Sequence, residues 1–270
     1  MITLIAGKPG AGKTALMTYF AILDMTINAY VSVQKTNRFI GELNAGGYNF
    51  KPAKEHLVYS NYDIKSHMKG YAPRRSYEME GYEFGLPDDK HQTKLIYRYS
   101  SLFFTEAQAF LNSRNYRSFR DSVSRAYEQH RHWDLKIYLD AQRATLIDLN
   151  VRELSQIIYV EKLDIKQDRL GNVKRCIWHC KLFNDIKDYD KFNESGKDFK
   201  SAEVVFKYDG NIFKCYDSQM NMPLFLQCAK DKQFYNDEYE DFGMDYESIE
   251  KFCETKSIAN IESSGYTKTK

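Results

Sequence analysis

The chain has 270 residues, 43% of them apolar and 15% aromatic, and a net charge of +2. That composition excludes an intrinsically disordered chain, and so small a net charge confines any nucleic-acid-seeking surface to a local patch. No stretch reaches the roughly 18 apolar residues of a membrane span; Ala15 to Val33 comes nearest and is interrupted by Thr18, Asp24 and Asn28.

Ile2 to Ala6 is a short apolar run with β-branched residues and reads as a buried strand rather than a signal peptide, which would need a basic flank. It runs into Gly7-Lys8-Pro9-Gly10-Ala11-Gly12-Lys13-Thr14, a full match to the phosphate-cradling P-loop pattern. Glycines at 7, 10 and 12 allow successive N–H groups to turn inward on an anion. Lys13 is the charge for the β- and γ-phosphates, and the Thr14 hydroxyl is a ligand for Mg²⁺. Ala15 to Tyr30 then reads as a helix whose positive end lies under the phosphates, so residues 7–15 are the expected nucleotide-binding segment and ATP the expected ligand.

Asn37 to Asn49 is polar and glycine-rich. Leu57 to Tyr62 is a second strand, and 65–93 is a long connection with Arg74, Arg75 and Pro87. Ser101 to Thr105 is a third strand, followed by Glu106-Ala107-Gln108. Tyr116 to His132 has helical spacing at Phe119, Val123, Ala126 and Tyr127, and ends in His130-Arg131-His132-Trp133. Leu135 to Leu139 is a fourth strand, leading to Asp140-Ala141-Gln142-Arg143; Asp148 caps a short helix through Leu154, and Gln156 to Leu163 is a fifth strand. This alternation predicts a mostly parallel, three-layer α/β sheet with its ligand at the strand C-termini.

Beyond Val160 the pattern changes. Two hairpins are expected in the region 163–216, one around Leu170-Gly171-Asn172 and a stronger one around Asp209-Gly210-Asn211. Residues 1–218 form the expected main domain. Residues 219–270, with nine carboxylates against two lysines between Asp231 and Glu254, read as an acidic, flexible tail. The five cysteines, an odd number, suggest no disulfide framework, so a reducing cytosol is the default. Cys176-Ile-Trp-His-Cys180 alternates its ligands across two strand faces and reads as structure rather than a metal site.

Three strand ends are expected beside the P-loop. Glu106 is placed to orient the attacking water, and Gln142 to contact the γ-phosphate. Arg131 reads as an arginine finger reaching a neighbouring subunit, as a DNA contact, or as a plain basic helix end. Arg114, Arg117, Arg120 and Arg125, with Tyr116 and Tyr127 interleaved, are either a phosphate-tracking face or an ordinary solvated one.

The ordered set of P-loop, Tyr59-Ser60-Asn61, Glu106-Ala107-Gln108, His130-Arg131-His132-Trp133, Gln142-Arg143, Leu146-Ile147-Asp148, Val151-Arg152-Glu153-Leu154 and Tyr216-Asp217-Ser218 resembles the zonular occludens toxin family. That family includes the gene I assembly proteins of filamentous phages. The resemblance covers about residues 1–218. It implies an ATPase of the additional-strand class, related to the FtsK and HerA motors, with Mg²⁺ as cofactor. It further implies a ring, hexamer-like, with Arg131 acting in trans, and DNA and virion proteins as partners. The chain departs from the pattern twice. The family generally has an aspartate before Glu-Ala-Gln that holds Mg²⁺ through its water shell; here Thr105 stands there, able to contact such a water but without charge, while Asp140 or Asp63 is available to substitute. The membrane span that follows the ATPase domain in filamentous-phage members is replaced here by the acidic stretch.

The combined expectation is an ATP-hydrolysing motor in phage DNA packaging, export or virion assembly, working in the host cytoplasm and reaching virion or membrane through partners. Two rivals stand beside it: a nucleotide-gated assembly scaffold with little hydrolysis, favoured by Thr105, and a small-molecule kinase with Arg74 and Arg75 in a lid.

Overall fold

The computed structural model describes residues 1–84, 98–112, 121–196 and 201–216. The acidic tail, Arg114, Arg117, Arg120 and residues 85–93 of the long connection lie outside the described residues. The strands are β1 (Ile2–Ala6), β2 (Val58–Ser60), β3 (Tyr77–Glu78), β4 (Ser101–Phe104), β5 (Lys136–Ala141), β6 (Ser155–Gln167), β7 (Val173–Phe183) and β8 (Ala202–Asp209). The helices are α1 (Lys13–Met25), α2 (Ala29–Ala45), α3 (Asp121–Gln129), α4 (Leu149–Glu153) and α5 (Ile186–Ser195).

All five residues of β1 are buried, as befits the centre of a sheet covered on both faces. The strand order is β3-β2-β4-β5-β1-β6-β7-β8. Pairing is parallel from β3 through β6; β7 is antiparallel to β6, and β8 to β7. Strand alternation sorts the apolar side chains into two cores. Ile2, Leu4 and Ala6 pack with Val123, Tyr127, Val151 and Tyr189 of α3, α4 and α5. Ile5 packs on the other face with Leu16, Met17 and Ile22 of α1. The result is the expected three-layer α/β sandwich.

α1 is pinned at its far end. Buried Asp24 accepts from Ser101 Oγ at 2.6 Å, Lys136 Nζ at 2.8 Å and Asn28 Nδ2 at 2.8 Å. Ser101 and Lys136 open β4 and β5, so this carboxylate ties the helix to the two strands whose other ends reach the P-loop. Ser101 Oγ also lies 2.9 Å from His56 Nε2, and burial pulls His56 down to about 4 against the attraction of Asp24.

Three expectations need correction. The helix expected over Ala15 to Tyr30 breaks at Thr26–Asn28 and bends by 61° into α2, which occupies much of the segment read as polar and glycine-rich. The buried positions of α2 are Ala29, Ser32, Thr36 and Ile40, mostly small or polar, so its helical stripe is faint in sequence. β6 does not end near Leu163 but continues to Gln167, with an irregularity in its pairing between Val160 and Lys162 that absorbs the change of pattern. Around Asp209-Gly210-Asn211 no second strand follows among the described residues: Asn211 caps a 3₁₀ turn at Ile212–Lys214, and buried Ile212 and Cys215 draw the chain back against the α1 core. β7 and β8 form the remaining antiparallel edge, and α5 packs on β6 and β7 through Ile186 and Tyr189. No single helix among the described residues is long and apolar enough to cross a membrane.

Candidate functional site

β1 delivers the chain to the P-loop at the C-terminal end of the parallel strands. The Ala11 N–H closes a turn on the Lys8 carbonyl at 3.1 Å. Among the described residues, the N–H groups of Gly10, Gly12, Lys13 and Thr14 donate to no backbone carbonyl, which leaves four donors at a helix start for an anion. Lys13 is buried, and its Nζ donates to the Lys8 carbonyl at 3.3 Å.

Gly12 is enforced from two sides. Its φ of 87° is left-handed, and a Cβ there would lie 2.8 Å from Leu163 Cδ2 and 3.2 Å from Trp178 Nε1. Trp178 Nε1 donates to the Gly12 carbonyl at 3.0 Å, and the indole stacks on Tyr19 of α1. The segment read as a plain structural strand thus buttresses the loop, and its signal in sequence was the inward-facing tryptophan of β7. Gly12→Ala is expected to cost about 1–3 kcal/mol through strain and overpacking. The check is a thermal melt, and an unchanged Tm would refute the enforced geometry.

β4 ends beside β5 with Phe104 paired to Leu139, so the next residues, Thr105 and Asp140, are neighbours. Asp140 is fully buried. Its Oδ2 accepts from Thr14 Oγ1 at 2.9 Å and its Oδ1 from the Glu106 N–H at 2.7 Å, while Thr105 Oγ1 lies 3.3 and 3.4 Å from the two oxygens. Burial pushes the Asp140 carboxyl up from the usual range, helped by the charge of Glu106 and opposed by the Glu106 N–H, the Thr14 hydroxyl and the Lys13 ammonium. Asn61, just after β2, holds the Thr105 backbone in both directions, accepting from its N–H at 2.8 Å and donating to its carbonyl at 3.0 Å.

Glu106 is exposed and left-handed, φ 51° and ψ 43°, a conformation costing on the order of 1 kcal/mol for a non-glycine residue. That turn aims its N–H at Asp140, and its carboxylate accepts from Gln108 Nε2. Gln142 follows β5, whose last residue Ala141 pairs with Ala6, so it lies exposed at the P-loop end of the sheet.

A P-loop after the central strand, α1 behind it, and β5 inserted between β1 and the Glu106-bearing β4 decide the fold. This is a P-loop NTPase fold of the additional-strand kind. Within that fold, Arg131 lies in the turn before β5, lining a cleft of about 560 Å³ with Met1, Lys136 and Glu153. It is thus at the sheet end opposite the P-loop and does not join the site of its own chain. Arg75 is ion-paired with Asp63 at 2.8 Å.

The donors beside the loop are all oxygens, Thr14 Oγ1 and the carboxylates of Asp140 and Glu106, which suits a hard cation. Among the described residues no group of three or more His, Cys, Asp or Glu is gathered as a metal centre. Mg²⁺ in a nucleotide site needs no such group, because phosphates and water complete its shell.

No protein-family model and no curated protein matches the chain. Among solved structures, the chain is similar to the N-terminal domain of zonular occludens toxin from Neisseria meningitidis, at 18% identity over 80% of this chain and 98% of that one, with a TM-score of 0.46. It is also similar to the genome-packaging NTPase B204 of Sulfolobus turreted icosahedral virus 2 in complex with ATP-gammaS (12% identity, 78% and 97% covered, TM-score 0.32). A third is B204, the DNA-packaging ATPase of Sulfolobus turreted icosahedral virus (15%, 77% and 91%, 0.32).

Proposed function

We propose that the chain is an ATP-hydrolysing motor of the zonular occludens toxin type, acting in viral DNA packaging, export or virion assembly. The observation that carries the reading is the convergence of Lys13, Thr14, Asp140 and the Glu106 turn at the ends of β1, β4 and β5. The open N–H groups of the P-loop cradle the phosphates, and Lys13 leaves its 3.3 Å contact with the Lys8 carbonyl to meet the β- and γ-phosphates. Glu106 orients the attacking water, and Gln142 contacts the γ-phosphate. Thr14 would hold Mg²⁺, which when bound neutralises the charge developing on the phosphates.

Arg131 acts in trans within a ring. In support, it is exposed and separated from its own P-loop by the length of β1, about 16 Å at strand rise, too far to serve its own chain's nucleotide.

Steady-state phosphate release from the full chain with ATP and Mg²⁺, with and without DNA, tests the reading. Turnover that DNA stimulates is the expected result. Tight ATP binding with release at the background rate would transfer the chain to the scaffold reading, for which neutral Thr105 is the ground.

A further inference from the structure

We propose that Asp140 of β5 takes over from position 105 as the carboxylate that holds the water shell of the nucleotide-bound divalent cation. The proposal rests on the nucleotide-hydrolysing reading and assigns the second half of its metal site.

Thr105 follows β4 directly and brings no charge to the place beside Thr14 where a carboxylate is wanted. Parallel pairing of β4 with β5 sets Asp140 next to it, one strand spacing nearer to β1. The two side chains have complementary roles: the Thr105 hydroxyl is 3.3 Å from the Asp140 carboxylate and donates to it. Asp140 is in turn one hydrogen bond, 2.9 Å, from Thr14 Oγ1, the atom that would ligate the cation. Because Thr14 directs its single proton at Asp140, the lone pairs of that hydroxyl are left for a cation on the phosphate side.

The charge balance points the same way. Asp140 is fully buried, yet among the described residues no Lys or Arg nitrogen lies within 4.0 Å of it, the ion pairs there all involving other carboxylates. A buried carboxylate held by hydroxyls and one N–H feels the Lys13 ammonium only from beyond ion-pair distance, and a divalent cation on the Thr14 side supplies the nearer counter-charge. The other carboxylate that sequence left open, Asp63, already has two cations, Arg75 at 2.8 Å and Lys65 at 3.0 Å.

The test uses Mn²⁺ as probe, titrated into the full chain loaded with a non-hydrolysable ATP analogue and followed by electron paramagnetic resonance. Asp140→Asn is expected to weaken Mn²⁺ binding about 10- to 100-fold while leaving metal-free analogue binding in EDTA unchanged. Adding Thr105→Asp to that variant returns the carboxylate to β4 and is expected to restore most of the affinity. Thr105→Val alone removes the orienting hydroxyl but not the charge, and Mn²⁺ affinity is expected to fall by less than in Asp140→Asn. Unchanged Mn²⁺ affinity in Asp140→Asn, no recovery in the double variant, or a loss in Thr105→Val as large as in Asp140→Asn would each overturn the assignment. A parent chain that binds no nucleotide would instead overturn the hydrolase reading itself, and the two failures are told apart in the EDTA arm.

Discussion

Lys13→Ala is expected to lower ATP turnover about 100- to 1,000-fold, the loss typical of removing one preorganised charge from a developing oxyanion. Lys13 is buried, and its ammonium rests on the Lys8 carbonyl at 3.3 Å, a contact a phosphate can displace without disturbing the fold. The N–H groups at 10, 12, 13 and 14 belong to the backbone and survive the substitution, as do the Thr14–Asp140 and Trp178–Gly12 contacts. Turnover should therefore fall far more than thermal stability does. Steady-state phosphate release and a melting curve measure the two, and a variant turning over like the parent would refute the phosphate site.

Glu106→Gln is expected to reduce turnover by about 100- to 10,000-fold, the span of a positioned base, with ATP affinity nearly unchanged. Glutamine keeps the shape of the side chain and can keep a contact with Gln108, and the backbone N–H to Asp140 is untouched. What disappears is the negative charge at an exposed position beside Asp140 and the end of the P-loop. Single-turnover chemistry alongside fluorescent-analogue binding separates the two effects. Equal rates in parent and variant would remove Glu106 from the chemistry and leave it as a turn residue.

The parts of the fold that announced themselves in sequence are those with one dominant cause. β1, β4 and β5 are dense apolar runs because both faces of a central parallel strand are covered, and the P-loop is fixed by its glycine spacing. α2 escaped notice because it buries Ala29, Ser32, Thr36 and Ile40, which give little hydrophobic contrast with its polar side. The Asp209-Gly210-Asn211 signal was real as a turn, but a turn does not specify a returning strand: burial of Ile212 and Cys215 against α1 outweighed sheet extension.

The site was legible where one residue acts alone and obscure where two strands cooperate. Lys13, Thr14 and Glu106 declare themselves by motif. Asp140 was visible only as one of two strand-end carboxylates, because its value comes from the pairing of Phe104 with Leu139 across β4 and β5. Trp178 and Leu163 belong to the P-loop only once β6 and β7 have been laid beside β1, and spacing along the chain carries no trace of that contact. Arg131 was read as an arginine finger, a DNA contact or a basic helix end, and its distance from its own P-loop, a property of strand direction, left no mark along the chain.

The central position of β1 also bears on how the molecule is made. Ile2 pairs on one side with Ile137 and on the other with Ser155, so β1 has no ladder partner until β5 and β6, more than a hundred residues further along, have been synthesised. Ile2, Leu4, Ile5 and Ala6 wait through that interval, and contacts so distant in sequence are slow to close. Nucleotide would accordingly be captured only after the closing strands arrive, which makes a fragment truncated ahead of β5 a candidate for aggregation and chaperone binding rather than a smaller working enzyme.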